Sequence, residues 1–115
     1  MRSAKNLLDE TLEALTLNGK SPSDVLWCGS TDFCFTWEDF KAVAERTNYN
    51  AGYGGQEVAV DLVIVGDGWW LERAEYDGGE WWEFKSLPER PSEFHVPVRL
   101  ADGHGSWSSL EDIQK

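Results

Sequence analysis

Residues 56–87 read QEVAVDLVIVGDGWWLERAEYDGGEWWEFKSL, and the period of this run decides the fold. Apolar and polar side chains alternate every second residue, as in half-buried strands, and the turn signals Gly66-Asp67-Gly68 and Asp77-Gly78-Gly79 divide the run into three. The expectation is an antiparallel meander over about residues 57–86. With loops of three residues, Val65 stands opposite Trp69 and Tyr76 opposite Glu80. Asp61, Arg73 and Glu83 then line up across one face as a negative, positive, negative row, which is a favourable cross-strand arrangement. The other face collects Val58, Val60, Leu62, Ile64, Trp70, Ala74, Tyr76, Trp82 and Phe84 as the core, and it turns Glu72 inward beside Trp70 and Phe84. A change of one residue in either loop would turn a strand over.

Working outward, leucines 8, 12 and 15, with Leu7 beside them, form a helical stripe over residues 3 to 18, with Ser3 as a cap and Gly19 as the stop. VLWC and FCF flank the turn GSTD as a short N-terminal hairpin. TWED has the form of a capping box, with Thr36 accepting from the N–H of Asp39, and opens a helix over about 37–46 that turns Trp37, Phe40, Val43 and Ala44 to one side. NYNAGYGG reads as a loop carrying Tyr49 and Tyr53, a candidate recognition loop; its glycines are not followed by the helix with Lys and Ser or Thr that a phosphate loop needs. HVPVRL, interrupted by Pro97, reads as a C-terminal edge strand, and Ser108 with Glu111 as a second capping box closing a short helix. The expected architecture is α+β. An antiparallel β-sheet, made of the central meander, the N-terminal hairpin and the C-terminal edge strand, packs against two α-helices in a single domain spanning residues 1–115.

Composition excludes several classes. The chain has 115 residues, 41% hydrophobic and 27% charged, a globular balance, and a net charge of −11. So acidic a chain is unsuited to tracking a nucleic-acid backbone directly and is suited to a basic protein partner. The longest apolar run, residues 62–65, is too short for a membrane span, and the N-terminus lacks the apolar block of a signal peptide, so a cytoplasmic protein is expected. In that setting Cys28 and Cys34 are expected as free packing thiols.

Catalytic chemistry finds weak support. Glu72, Glu75, Glu80 and Glu83 lie amid tryptophans and admit a small hydrolase using Glu72 with Glu83 or Glu75, but acids alternating with apolar residues ordinarily form the solvated face of a strand. His95 and His104 have no partners at ligand spacing, so neither metal nor cofactor is expected. Ser30, Cys28 and Cys34 lack any local signature of a base. Of seven tryptophans, Trp37, Trp70 and Trp82 fit the core. Trp69 and Trp81 alternate to the other face, either covered by the termini or by residues 94–100, or exposed as an aromatic patch ringed by acid. Residues 61–90 hold eight acids against three bases, a net −5.

Read whole, GYGGQEVAVDLVIVGDGWWLERAEYDGGEWWEFKSLP, with DVLWCGS and TWEDF upstream, resembles a group of small acidic proteins encoded by bacteriophages and prophages of Gram-positive bacteria. The resemblance covers about residues 24 to 88. It implies a phage origin and, by likeness of character, an inhibitor of host defence of the anti-CRISPR type. The expected function is a non-enzymatic inhibitor that binds a basic host protein, such as a CRISPR effector or another nuclease, by steric and acidic nucleic-acid mimicry. Its contact residues are expected at Trp69, Glu75, Asp77, Glu80, Trp81 and Glu83. An immunity protein neutralising a basic toxin is an alternative that shares this physics.

Overall fold

The computed structural model describes residues 4–50 and 54–115. The fold is α+β. Strand β1 (Lys5–Asn6) leads into helix α1 (Leu7–Leu17), a 3₁₀ turn (Pro22–Asp24) and the hairpin of β2 (Val25–Gly29) and β3 (Cys34–Phe35). Helix α2 (Trp37–Ala44) and β4 (Asn48–Tyr49) follow, then the meander β5 (Val63–Gly66), β6 (Trp69–Tyr76) and β7 (Gly79–Ser86), and finally the short helix α3 (Leu110–Ile113). The main sheet is antiparallel in the order β3-β2-β5-β6-β7, and β1 pairs separately with β4.

Local chemistry accounts for the helices. Asn6 caps α1 by accepting from Asp9 N–H, whereas the expected cap, Ser3, lies outside the described residues. Gly19, at φ +71°, follows its end, a conformation that costs glycine little. Thr36 caps α2 by accepting from Asp39 N–H at 3.1 Å, as expected. At the C-terminus the cap is Ser109, one residue beyond the expected Ser108.

The three-residue loops are corrected by the structure. Tyr76 pairs with Gly79 around the two-residue turn Asp77-Gly78, whose φ values of 51° and 86° are the pair of positive angles that suits the right-handed strand twist. Val65 pairs with Trp70, one residue later than expected. Both shifts act on β6 and invert it. Trp69, Leu71 and Arg73 point into the core; Trp70, Glu72, Ala74 and Tyr76 face outward. The Asp61–Arg73–Glu83 row therefore does not form: Arg73 stands opposite Trp82, and Glu72 opposite Glu83.

The core lies between the inner sheet face and α1 and α2. Leu7, Leu8 and Leu15 of α1 and Phe40 and Ala44 of α2 meet Cys28, Ile64, Trp69, Leu71 and Trp82. Val43, expected on the apolar side of α2, and Val60 and Tyr76, expected in the core, are exposed. Residues 56–62, expected as the start of a strand, are irregular before β5, with a bend at Val58 and a turn at residues 60–61. Residues 95–100 pair with no strand among the described residues. No described helix is long and apolar enough to cross a membrane.

Candidate partner-binding surface

The inversion of β6 buries an arginine, and the fold gathers partners around it. The Arg73 side chain is fully enclosed; its Nη1 donates to Glu10 Oε2 at 3.2 Å, and its Nη2 to Glu80 Oε1 at 2.8 Å and to the Tyr49 hydroxyl at 3.0 Å. Its guanidinium stacks over the Trp82 indole at 4.7 Å, while the buried Nε finds no acceptor. The Tyr49 hydroxyl donates in turn to Glu10. Trp82 Nε1 donates to Thr11 Oγ1 at 2.9 Å, tying β7 to α1.

Ionisation follows these contacts. Burial works to raise the Glu80 carboxyl, but N–H groups of Glu57 and Val58 and the Arg73 guanidinium outweigh it and hold the group below its ordinary range. Burial and the bond to Glu10 push the Tyr49 phenol up to about 12. Tyr49 is thus an element of the core and no part of a recognition loop; Tyr53 lies outside the described residues.

Of the six expected contact residues, two are inside. Trp69, 4% exposed, stacks on Phe84 at 5.8 Å with Lys20 over its ring. Glu80, 5% exposed, is the carboxylate beneath Arg73. Glu75 and Asp77 are exposed at the β6–β7 turn, and Trp81 is 39% exposed on the edge strand. Glu83 pairs with Lys85 at 2.9 Å, and that hydrogen bond and charge lower its carboxyl. Glu72, expected to point inward, lies on the outer face and accepts from Trp70 Nε1 at 2.7 Å. Two carboxylates directly opposite repel, and here the indole N–H on one and the ammonium on the other offset the repulsion.

A groove of about 340 Å³ runs between α1 and the β7 edge. Asp9, Glu10 and Glu13 line it from the helix, Trp81 and Trp82 from the strand, and Lys5 stands at one end. Asp9 and Glu13 are exposed, one helical turn apart on the same side. Carboxylates beside an indole suit a guanidinium or ammonium, which gains charge-assisted hydrogen bonds and a cation–π contact together. Sequence counting missed this groove, because residues 1–20 contain three acids and three bases and read as neutral. The helical spacing of Asp9 and Glu13 was the signal that puts both carboxylates on one side of α1.

Cys28 is buried against the core, where loss of water pushes its thiol up to about 12, and Cys34 is exposed on the opposite face. Both are free thiols, but only Cys28 packs. Among the described residues no group of three or more His, Cys, Asp or Glu side chains is placed to hold a metal ion. No protein-family model, curated protein or solved structure matches this chain.

Proposed function

We propose that this protein is a non-enzymatic inhibitor of phage origin that binds a basic, nucleic-acid-handling defence protein of the host, such as a CRISPR effector, in the bacterial cytoplasm and without a cofactor. The observation that carries this reading is the groove at the β7 edge: the exposed carboxylates of Asp9 and Glu13 beside the Trp81 indole, on a chain of net charge −11. Lys and Arg side chains that normally hold phosphates would meet Asp9, Glu13, Glu75 and Asp77, with Trp81 as the apolar anchor. The rigid sheet would block the path of the nucleic acid. A hydrolase using Glu72 with Glu83 or Glu75 has less support, because Glu72 and Glu83 lie on an open sheet face and Lys85 keeps Glu83 ionised rather than poised to give a proton.

The test is capture of the target from host lysate, followed by titration with the purified partner. A basic nuclease is expected, inhibited by the intact protein, with affinity falling as salt rises through the roughly 0.15 M physiological range. The triple variant Asp9→Asn, Glu13→Gln, Trp81→Ala should lose at least about tenfold in affinity, each tenfold being about 1.4 kcal/mol. Salt-indifferent binding, or full inhibition by that variant, refutes the reading. A captured toxin in place of a defence nuclease would transfer the same surface to an immunity role.

A further inference from the structure

The two edges of the main sheet are finished differently. On one side β3 is two residues long and runs through Thr36 straight into α2, so little free backbone is left there. On the other side β7 pairs with β6 over eight consecutive residues without a bulge, and it ends the sheet. A long, regular edge is a template for a further strand, and proteins ordinarily blunt such edges with bulges, proline or several lysines. β7, GEWWEFKS, has no proline and a single lysine, which Glu83 holds at 2.9 Å.

The phase of the ladder fixes which groups are free. Leu87 N–H donates to Gly68 C=O at 2.8 Å, and antiparallel bonding alternates along a strand. Gly79, Trp81, Glu83 and Lys85 therefore bond β6, while Trp82, Phe84 and Ser86 turn their N–H and C=O outward. Glu80 shares that orientation, but the segment at Glu57 and Val58 already sits against it. Among the described residues no backbone carbonyl takes up the outward N–H of Trp82 or Phe84.

Helix α1 runs alongside this edge. Thr11 meets Trp82, and Lys20 lies over Trp69, the partner of Ser86, so the helix and β7 advance together. The groove between them is walled by α1 on the inner side of the sheet and by Trp81 on the outer side. Asp9 and Glu13 are about 6 Å apart along the helix axis, close to the roughly 6.7 Å between alternate residues of a strand. Lys5 at one end of the groove and Lys20 beyond the other confine the acidic stretch to these two positions.

We infer that the β7 edge takes its partner by strand addition: an extended segment pairs with the backbone of Trp82 and Phe84 and carries Lys or Arg at two alternate positions, which meet Asp9 and Glu13. The residues between them face Trp81 and are apolar or β-branched. A second copy of this chain fits poorly, because its β7 would bring Glu83 and another pair of α1 carboxylates to the same edge. The inference rests on the proposed reading of this groove as the partner-binding surface and names the form in which a basic partner enters it.

The probe is a synthetic peptide, acetyl-Thr-Val-Lys-Val-Lys-Val-Thr-amide, with both lysines on one strand face; its isomer acetyl-Thr-Val-Lys-Lys-Val-Val-Thr-amide puts them on opposite faces. Titrated against the full chain at low salt, the first is expected to bind at least tenfold more tightly than the second and to slow hydrogen exchange of the Trp82 and Phe84 amides. The variant Asp9→Asn, Glu13→Gln changes only exposed side chains; it should keep its circular dichroism and lose the preference between the isomers. Equal binding of the isomers, binding that leaves the Trp82 and Phe84 amides unchanged, or no binding at millimolar peptide overturns the inference. So does a dimer of the chain in which those amides are already protected. Inhibition of a basic nuclease with this edge left unprotected would sink the inference and spare the proposed role, whereas peptide pairing at the edge without any nuclease target would do the reverse.

Discussion

Arg73 and Glu80 meet across adjacent strands at 2.8 Å with both side chains almost wholly removed from water. Neither charge would be tolerated there alone. Glu80 also accepts from the backbone of Glu57 and Val58, so the pair fixes the segment before β5 as well as the β6–β7 hairpin, and Glu10 and Tyr49 complete the enclosure from α1 and β4.

Breaking this pair from one side is therefore expected to cost far more than the pair contributes relative to an apolar filling. Arg73→Leu leaves Glu10 and Glu80 facing each other without a cation and should lose about 3–5 kcal/mol of stability, measured by urea unfolding. The double variant Arg73→Leu, Glu80→Leu should recover part of that loss. Glu83→Gln, at the exposed pair with Lys85, should leave the urea midpoint unchanged.

The two limbs of the pH profile follow from the same cluster. The folded state holds Glu80 below the ordinary 4.5, so its contribution is fully present above that pH and is lost as pH falls through the lower folded value. Tyr49 is shifted the other way, from 10.0 to about 12, so its contribution is present below pH 10 and is lost as pH rises toward 12. Unfolding free energy measured from pH 2 to 11 should fall at both ends, and Glu80→Gln should flatten the acid limb while leaving the alkaline one.

This cluster also marks where the sequence stops being legible. The α1 leucine stripe, the Thr36 cap and the three-strand meander are all local patterns, and each is present. In β6, however, the residues of one face are Trp69, Leu71, Arg73 and Glu75, and those of the other Trp70, Glu72, Ala74 and Tyr76. Both sets mix large apolar and charged side chains, so alternation cannot choose between them. The choice is made by Glu10, 63 residues away in sequence, and Tyr49, 24 away, which receive Arg73. Reading both turns one residue too long cancelled between β5 and β7 and left β6 alone inverted. The acidic groove was hidden for a related reason: Asp9 and Glu13 join Trp81 only once α1 lies against β7.

The short turns can be tested directly. Gly78 sits at φ 86°, where a Cβ costs about 1–2 kcal/mol, so Gly78→Ala should destabilise by that amount and Asp77→Asn should be tolerated. Gly66 has a different constraint. A Cβ there would stand 2.1 Å from the Trp69 indole, which is held by Phe84, so Gly66→Ala should cost about 1–3 kcal/mol or more by overpacking. Thermal unfolding of the three variants separates the two causes.

The two thiols report on the hairpin register. Cys28 pairs with Phe35 and Cys34 with Gly29, so the sulfurs occupy neighbouring pairs and opposite faces of the sheet. A disulfide between them would require one strand to turn over. Cys34 is exposed, and Cys28 is fully enclosed with its thiol pushed up to about 12. A thiolate-selective reagent at neutral pH should therefore label one cysteine rapidly in the folded protein and the second only as the chain opens. The slow phase should track the unfolding equilibrium or rate, so that Arg73→Leu speeds the labelling of Cys28 and leaves that of Cys34 unchanged. Rapid labelling of both thiols in the native state, or an oxidised pair in protein prepared without reductant, would contradict this register.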